Sequence, residues 1–394
     1  MKRVLLFGTY DLGAGYPRTR GLLAALAAAG VELVECQRDA LPARGQRART
    51  VRNPLLWPLA LLKLASARAS LRWRLRAAIR AARPDCVLVA YPGHLAVGWA
   101  RSVFDGPIVL DLFLSAFDTV VGDRGLLRPA SLAARGLRWL DTRACGDADR
   151  VLLDTWEHAD FVAQLTGLRR DRFGHVPICD PDAPSVPAPL PPLRDWIDLL
   201  FIGSGVPLHG LPVLLDAVGR ARGVRLTLVG GSAAERAAAV TLPPERLRLL
   251  PAWVDPRSLP ALLAECHLAA GIFSDRAKAQ RVVPFKLVHG LAAGRPVVSA
   301  DTPAVRRLLL PGRDVLTVPP GDVVELTAAL RLLTAEPERL TALAAQARPA
   351  YDRVFSVTAC SAALLDELAA ATGSNWVRAA SNEDAPPTRV STRA

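Results

Sequence analysis

The chain has 394 residues and a formal net charge of +12, with 51% hydrophobic and 22% charged residues. This length is about two to three times that of a usual domain, so two domains with sizeable cores are expected. The six cysteines lack the paired spacing of a zinc site or a disulfide framework, which excludes both classes and favours reduced thiols in the cytoplasm.

The N-terminal half alternates short apolar runs with amphipathic segments. "MKRVLLFGTYDLG" is too short for a signal peptide and indicates a first strand, and no stretch approaches the roughly 20 apolar residues of a membrane span. A helix predicted in "TRGLLAALAAAG" leads to a second apolar run, "VELVECQ". Three more strands are predicted in "DCVLVAYP", "PIVLDLF" and "RVLLDT". Continuous apolar strands separated by helices are typical of βαβ units and a parallel sheet.

A proline-rich stretch near residues 177–196 interrupts this alternation, which then restarts with "IDLLFIG". Proline fixes φ and lacks an amide hydrogen, so the stretch is interpreted as an extended linker. The sequence therefore predicts an α/β protein with two doubly wound parallel-sheet domains that face a cleft. The predicted segments are a first domain (1–180), a linker (181–195), a second domain (196–354), a C-terminal helix returning to the first domain (355–373) and a disordered tail (374–394).

Residues 41–84 contain eleven basic residues and no acidic residue, with Trp57 and Trp73 among leucines. A basic helix with tryptophan and leucine on one side suits an anionic membrane surface. The alternative is a solvated helix face. No recognition motif joins the basic residues, so nucleic acid is not expected as a partner.

Ligands of doubly wound sheets bind in the loops that follow the carboxyl ends of the strands. In the first domain these loops hold Gly13, Arg18 and His94, and a pair of carboxylates, Asp111 and Asp118, follows one strand. Arginine at a helix start suits an anion, and two carboxylates suit acid–base chemistry or sugar hydroxyls. The alternative for the carboxylates is helix capping and turn formation.

In the second domain, "FIGSGVPLHG" places Gly203, Gly205 and His209 directly after a strand. Small residues with exposed amides there predict a phosphate cradle. For the glycine-containing loop of the first domain, which holds Gly13, the structural alternative is a tight strand-to-helix turn.

The stretch "SDRAKAQRVVPFKLVHGLAAGRPVVSAD" places Lys278, Arg281 and Lys286 between a strand and a helix. Pro284 suits a first helical turn, so Lys286 lies near the amino end of that helix, where a cation opposes the helix dipole. A bound anion would resolve this conflict, so Lys286 is predicted to bind a phosphorylated ligand. His289 is predicted on the same helix face, where it would reach a ribose or phosphate or serve as a structural residue.

These motifs resemble the GT-B glycosyltransferases of family 4, in a divergent branch with the "PFK" motif. The resemblance runs from the first strand to about residue 372 and is strongest in "VVPFKLVHGLAAGRPVVSADTPAVRRLLLPGRDVLTVPPGDVVELTAAL". It implies a nucleotide-sugar donor in the second domain and an acceptor in the first. It also implies that Gly203 and Gly205 line the diphosphate loop, that Trp253 and Val254 lie near the base, and that Lys286 meets phosphate.

This sequence departs from the family pattern at several positions. Ser204 and His209 stand where many members have arginine and lysine, and Arg281 and His289 stand at the positions of two glutamates. Asp111 occupies the place that best matches the usual first-domain histidine, and is expected to be catalytic together with Lys286. The remaining donor-side residues are then Lys278 and Arg281, and the acceptor-side residues are Gly13, Arg18, His94 and Asp118.

The expected activity is a hexosyltransferase-like glycosyl transfer (EC 2.4) that retains anomeric configuration and needs neither metal nor cofactor. The expected setting is cell-envelope polysaccharide or glycolipid synthesis, in the cytoplasm or at the inner face of the plasma membrane. Two alternatives remain open, which are a non-catalytic nucleotide-sugar-binding protein and a nucleotide-sugar epimerase.

Overall fold

The computed structural model describes residues 2–10, 12–13, 17–38, 57–376 and 389–391. The described strands form two wholly parallel sheets, of seven and six strands, which confirms the expected fold class. The strand order is β13-β2-β1-β3-β4-β5-β6 in the first sheet and β12-β11-β10-β7-β8-β9 in the second. The carboxyl ends of each set of strands therefore meet at one edge, where the loops singled out above converge.

Strands β1 to β6 of the first sheet and the helices between them extend from residue 3 to residue 175, and the remaining elements, which include β13 of the first sheet, begin at residue 197. The first group is β1 (Arg3–Gly8), α1 (Pro17–Ala28), β2 (Glu32–Gln37), α2 (Trp57–Ala82), β3 (Cys86–Val89), α3 (Ala96–Arg101), β4 (Ile108–Asp111), a π-helix (Asp118–Asp123), α4 (Leu132–Gly146), β5 (Arg150–Leu153), α5 (Trp156–Thr166) and β6 (Phe173–His175). The second group is β7 (Ile197–Gly203), α6 (Leu211–Arg220), β8 (Val224–Gly230), α7 (Ala233–Ala239), β9 (Leu247–Leu249), α8 (Leu259–Glu265), β10 (Leu268–Ala270), α9 (Phe285–Ala292), β11 (Val297–Ala300), α10 (Pro303–Leu308), β12 (Leu316–Val318), α11 (Val323–Ala335), α12 (Pro337–Val354), α13 (Val357–Thr372) and β13 (Arg389–Ser391).

The strands of the first sheet are apolar throughout because helices cover both faces. Along β1, Leu5 and Phe7 belong to one core, and the alternate residues Val4 and Leu6 belong to the core on the opposite face. The first of these cores is covered by α2, α3, α4 and α5, and the second by α1 and α13.

Two chain segments connect the halves. The linker between β6 and β7 is tied to the second half by Arg295, which is fully buried and donates to the carbonyls of Ala188 and Pro189, each at 2.9 Å. The other segment is α13, which follows α12 and packs Leu364 and Leu368 into the core that α1 also covers.

The tail differs from the expected disorder at two places. Trp376 is buried in the core that α13 covers. Its Nε1–H donates to the Thr372 hydroxyl at 2.8 Å. Residues 389–391 add the edge strand β13, which pairs in parallel with residues 33–35 of β2. Residues 377–388 and 392–394 lie outside the described part of the chain.

The basic segment 41–84 is represented by α2, whereas residues 39–56 lie outside the described residues. A different stretch, Pro337–Thr372, is long and apolar enough by composition to cross a membrane, which the sequence reasoning did not anticipate. It comprises α12 and α13, whose apolar residues contribute to the cores of both halves, as core helices of globular proteins do.

The packing of α13 on α1 generates a stability prediction. Leu364→Ala removes a side chain that is 1% exposed, so we expect unfolding to become easier by about 2–5 kcal/mol in urea titrations. The matched control is Leu332→Ala on α11, where the side chain is 37% exposed and the expected loss is below about 1 kcal/mol. Equal losses at the two positions would show that α13 does not complete the core that α1 also covers.

Candidate functional site

The loops after β7 and β8 pack against each other at the carboxyl edge of the second sheet. Gly230 has a φ of +87°, and a Cβ on it would lie 1.7 Å from the Gly203 carbonyl oxygen. Gly205 has a φ of +71°, and a Cβ there would lie 2.5 Å from the Ser232 amide nitrogen. Only glycine fits at these two positions. Ser204 is exposed at the tip of this glycine loop.

Lys286 lies in the first turn of α9 and points inward rather than into solvent. The residue is 8% exposed, and its Nζ lies 4.0 Å from the centroid of the Phe201 ring without a hydrogen-bond partner in the described structure. His209 also packs on Phe201, and its Nδ1 is buried without a partner. That Nδ1 lies 2.8 Å from where a Cβ on Gly203 would be, so the histidine borders the glycine loop.

The electrostatics of this cluster favour an incoming anion. Burial lowers the pKa of Lys286 well below its usual range, although attraction to the Glu235 carboxylate opposes the shift. Burial, and then the charge of Lys286, lowers the pKa of His209 to about 2, so the imidazole is neutral. A ligand with negative charge would restore the ammonium form of Lys286, because opposite charge favours the ionised state.

The other expected donor-side residues differ in their surroundings. His289 lies on α9, where its Nε2 is 3.5 Å from Asp180 and its ring centroid is 5.9 Å from that of Phe285. Its observed charged neighbour is therefore a carboxylate beside the linker. Trp253 is exposed in the loop after β9, and Val254 beside it is half-buried against a core of the second domain.

Lys278 and Arg281 contact the first domain instead of an open anion site. The Arg281 guanidinium lies 2.7 Å from Asp118, and Lys278 Nζ lies 3.5 Å from the same carboxylate and 3.0 Å from the Thr119 hydroxyl. Asp118 and Thr119 open the π-helix, and Arg276 donates to the Asp123 carbonyl at its end, at 3.1 Å. We call these six residues the interdomain clasp.

Further contacts hold Arg281 in the clasp. Its guanidinium carbon lies 3.7 Å from the centroid of the Phe161 ring, and its carbonyl oxygen accepts a hydrogen bond from the Thr155 hydroxyl. Thr155 also caps α5. In this conformation the positive charges of Lys278 and Arg281 are balanced by Asp118, whereas Lys286 has no such partner.

Asp111 does not fit the catalytic role expected of it. The carboxylate is fully buried at the end of β4 and lies 2.8 Å from Nη2 of Arg18. Arg18, expected to bind an acceptor anion, also donates to the carbonyls of Val176 and Pro177 at 2.6 and 3.2 Å. The pair therefore joins α1, β4 and the start of the linker, and neither side chain is free to contact a substrate.

His94 belongs to a network that the sequence reasoning missed. Its Nε2 lies 3.1 Å from Asp141 of α4, and the other oxygen of this carboxylate accepts from the Ser115 hydroxyl at 2.6 Å. The amides of Ala116 and Phe117 also donate to Asp141, and these contacts lower the pKa of its carboxyl despite burial. Nδ1 of His94 makes no hydrogen bond within the described part of the chain, so a fixed imidazole presents one free nitrogen.

Aromatic side chains connect the two walls. Phe113 has a φ of +53°, a region that non-glycine residues rarely adopt and that tends to be retained at functional sites. Its ring packs edge-on against Tyr91 at 5.5 Å and against Phe285 of α9 at 6.5 Å. Phe285 precedes Lys286, so α9 contacts the first domain beside the anion site. Gly13 is exposed in the loop before α1.

Two facing α/β domains with glycine loops and a buried cation at the carboxyl edge of the second sheet define a GT-B protein. The model of the glycosyl transferase 4-like domain matches residues 13–179, and that of the glycosyl transferases group 1 matches residues 197–336. Together they cover well over half of the chain, which therefore belongs to the GT-B glycosyltransferases. No curated protein sequence matches it.

Several solved structures share this fold at low sequence identity. Sucrose-phosphate synthase from Thermosynechococcus elongatus has a TM-score of 0.67 and 16% identity, with 92% of this chain and 97% of that chain covered. Anabaena HepE in complex with UDP and glucose has a TM-score of 0.65 and 15% identity, with 94% and 99% covered. The lipopolysaccharide outer core galactosyltransferase WaaB has a TM-score of 0.62 and 13% identity, with 93% and 99% covered.

The interdomain clasp predicts that Asp118 holds the domains together. In Asp118→Asn the buried cations lose their counter-charge, so we expect a loss of about 1–3 kcal/mol in unfolding free energy. We also expect a larger radius of gyration in small-angle X-ray scattering. Asp171→Asn is the control, because Asp171 pairs with Arg169 on the exposed surface. A scattering profile unchanged in both variants would contradict the clasp.

Proposed function

We propose that the protein transfers a sugar from a nucleoside diphosphate sugar to an acceptor hydroxyl, with retention of configuration and without a metal. The observation that carries this proposal is the buried Lys286 side chain, whose Nζ has no hydrogen-bond partner among the described residues and lies beside a loop where only glycine fits. A diphosphate supplies the missing negative charge, and its oxygens accept hydrogen bonds from Lys286 and the loop amides.

In the proposed glycosyl transfer, negative charge develops on the leaving diphosphate. The bond between the anomeric carbon and the diphosphate oxygen breaks, and the acceptor oxygen forms a new bond to that carbon. The acceptor proton passes to the departing diphosphate, which leaves on the same face as the acceptor arrives. Lys286 and the amides of the glycine loop stabilise the negative charge on the leaving group, which is the main electrostatic contribution in such a site. Neutral His209 donates a hydrogen bond from its protonated ring nitrogen to the same oxygens.

The first-domain wall supplies the acceptor side. Asp141 fixes the imidazole of His94, and the free Nδ1 of His94 suits a hydrogen bond to a sugar or acceptor hydroxyl. Asp111 and Arg18 then act structurally, by holding the loops of this wall in place. Gly13 remains an acceptor-side candidate, and Ser204, Trp253, Val254 and His289 remain donor-side candidates around Lys286.

Similar proteins support a nucleotide-sugar donor. HepE is described in complexes with UDP and with UDP-glucose, so UDP is the first nucleotide to test here. WaaB acts in the lipopolysaccharide outer core, which is consistent with an acceptor in cell-envelope polysaccharide or glycolipid synthesis. The proposed setting is the cytoplasm, with a lipid-linked acceptor reached at the inner face of the plasma membrane.

The proposal predicts that Lys286 lowers the stability of the free protein and raises its affinity for the ligand. Lys286→Met fills the same space without an unpartnered nitrogen, so we expect stability to rise by about 1–3 kcal/mol. UDP affinity should fall by about thirtyfold, as expected when a charged hydrogen-bond donor is lost. Calorimetric titration measures the affinity, thermal unfolding the stability, and a panel of UDP- and GDP-sugars the transfer.

Lys63→Met is the matched control, because Lys63 is exposed on α2 and should change neither quantity. Unchanged UDP affinity in Lys286→Met would remove the donor site from this helix. Tight binding of a nucleotide sugar without transfer to any acceptor would instead favour a non-catalytic binding protein, and interconversion of the donor sugar an epimerase.

The same lysine predicts a pH dependence of diphosphate binding. Burial lowers the pKa of Lys286 in the free protein, and a bound diphosphate raises it again. The affinity for diphosphate is therefore highest below the pKa of Lys286 in the free protein. It falls as pH rises from that value to the pKa of Lys286 in the complex. We expect Kd for UDP to rise by up to about tenfold per pH unit between the pKa of Lys286 in the free protein and its pKa in the complex, and Lys286→Met to lack this slope. A flat profile in the parent protein would contradict the assignment.

A further inference from the structure

Two helices on the same face of the first sheet leave bulky apolar side chains in solvent. Leu71 and Leu75 of α2 belong to one core with Ala144 and Cys145 of α4, so both helices cover this face. Their outer sides are therefore directed away from the sheet on the same side of the domain. The sequence drew attention to α2 alone, and the structure adds α4 together with the loop before it.

The exposed apolar groups include two tryptophans. On α2, Trp73 is 72% exposed and Leu62 is 67% exposed. In residues 124–140, Trp139 is 66% exposed and Leu132 is 80% exposed. Exposing several large apolar side chains on one face is unfavourable in water and marks a surface that contacts another body. Leu126, in the loop that precedes α4, is also exposed.

The two segments that carry these exposed groups contain only positive charge. Residues 62–83 and 124–140 contain eleven basic residues and no acidic residue. We call these two segments the basic tryptophan face. The basic residues are Lys63, Arg68, Arg72, Arg74, Arg76, Arg80 and Arg83 in the first segment, and Arg124, Arg128, Arg135 and Arg138 in the second.

We propose that the basic tryptophan face docks the protein on an anionic bilayer surface. Tryptophan is enriched where membrane and water meet, because its ring is apolar and its N–H is polar. Arginine beside it pairs with lipid phosphates, and each cation near an anionic leaflet adds attraction. A nucleic-acid site would not need several exposed leucines, so the combination of charge and apolar groups favours the bilayer. The helices lie on the membrane in this arrangement and do not span it.

The docked face is connected to the acceptor side through α4. The outer side of α4 carries Trp139, and its inner side carries Asp141, which fixes His94. A lipid-linked acceptor held at the bilayer would therefore approach the first-domain wall. This last step rests on the proposed function, whereas the docking itself does not.

Co-sedimentation with vesicles tests the docking. The full-length protein is mixed with vesicles of phosphatidylcholine, with or without phosphatidylglycerol. We expect binding only with the anionic lipid, weakening as salt is raised, and a blue shift of tryptophan fluorescence. The variants Arg128→Gln/Arg135→Gln and Arg76→Gln/Arg80→Gln should each bind at least about tenfold more weakly. Trp139→Ser should reduce the fluorescence shift and the bound fraction.

The matched control is Arg222→Gln/Arg331→Gln, which removes two exposed charges from the second domain and should leave vesicle binding unchanged. UDP affinity in every variant verifies that the fold and donor site are intact, which separates this test from that of the proposed function. Equal binding by all variants, or equal binding to neutral vesicles, would overturn the proposal. Absence of vesicle binding combined with retention on single-stranded RNA would assign the face to nucleic acid instead.

Discussion

The carboxyl edge of the second sheet is organised around a lysine side chain that is buried above an aromatic ring, with no hydrogen-bond partner in the described part of the chain. Phe201 gives Lys286 a weak electrostatic attraction, but this does not replace the water that the group loses. The parallel strands of the second sheet bring the glycine loop, His209 and the start of α9 to the same edge. Burial of Lys286 therefore has a free-energy cost in the unliganded protein, which a bound anion would relieve.

The two walls of the cleft are held by interactions of different kinds. Phe113 and Phe285 make an aromatic contact between the domains, whereas Asp118 gathers Lys278 and Arg281 into charged contacts. Both charged side chains belong to one segment of the second domain, so opening the cleft requires that segment to separate from the π-helix. A diphosphate that attracted Lys278 or Arg281 would compete with Asp118, which couples the occupancy of the donor side to the relative position of the domains.

Much of the fold followed from local sequence patterns. Apolar runs such as that of β1 predicted buried parallel strands, and the proline-rich stretch coincides with the segment that has no helix or strand between β6 and β7. The local sequence also identified Lys286 as a candidate site residue. Pro284 predicts the start of the helix, and a cation in its first turn opposes the helix dipole. The structure places this lysine inside the protein, where burial lowers the pKa of its amino group.

Contacts between distant segments could not be predicted in this way. The pairing of Arg18 with Asp111, of His94 with Asp141 and of His289 with Asp180 each joins residues from separate elements, and no local pattern selects one carboxylate over another. Helix periodicity predicts the face of α9 on which His289 lies. It does not predict that Asp180, which is distant in sequence, contacts this face. The exposed tryptophan of α4 was missed for the same reason, because exposure depends on what the rest of the chain leaves uncovered.

The return of α13 to the first domain has a consequence during synthesis. Strands β1 to β6 and α1 are synthesised before the second domain, but the helix that packs with Leu22 and Leu26 is synthesised after it. Until then the nascent chain carries an uncovered apolar face, and the second domain can form before the first is closed. Loss of α13 would therefore leave the earlier-made half of the polypeptide without one of its covering helices, even though β1 to β6 are present.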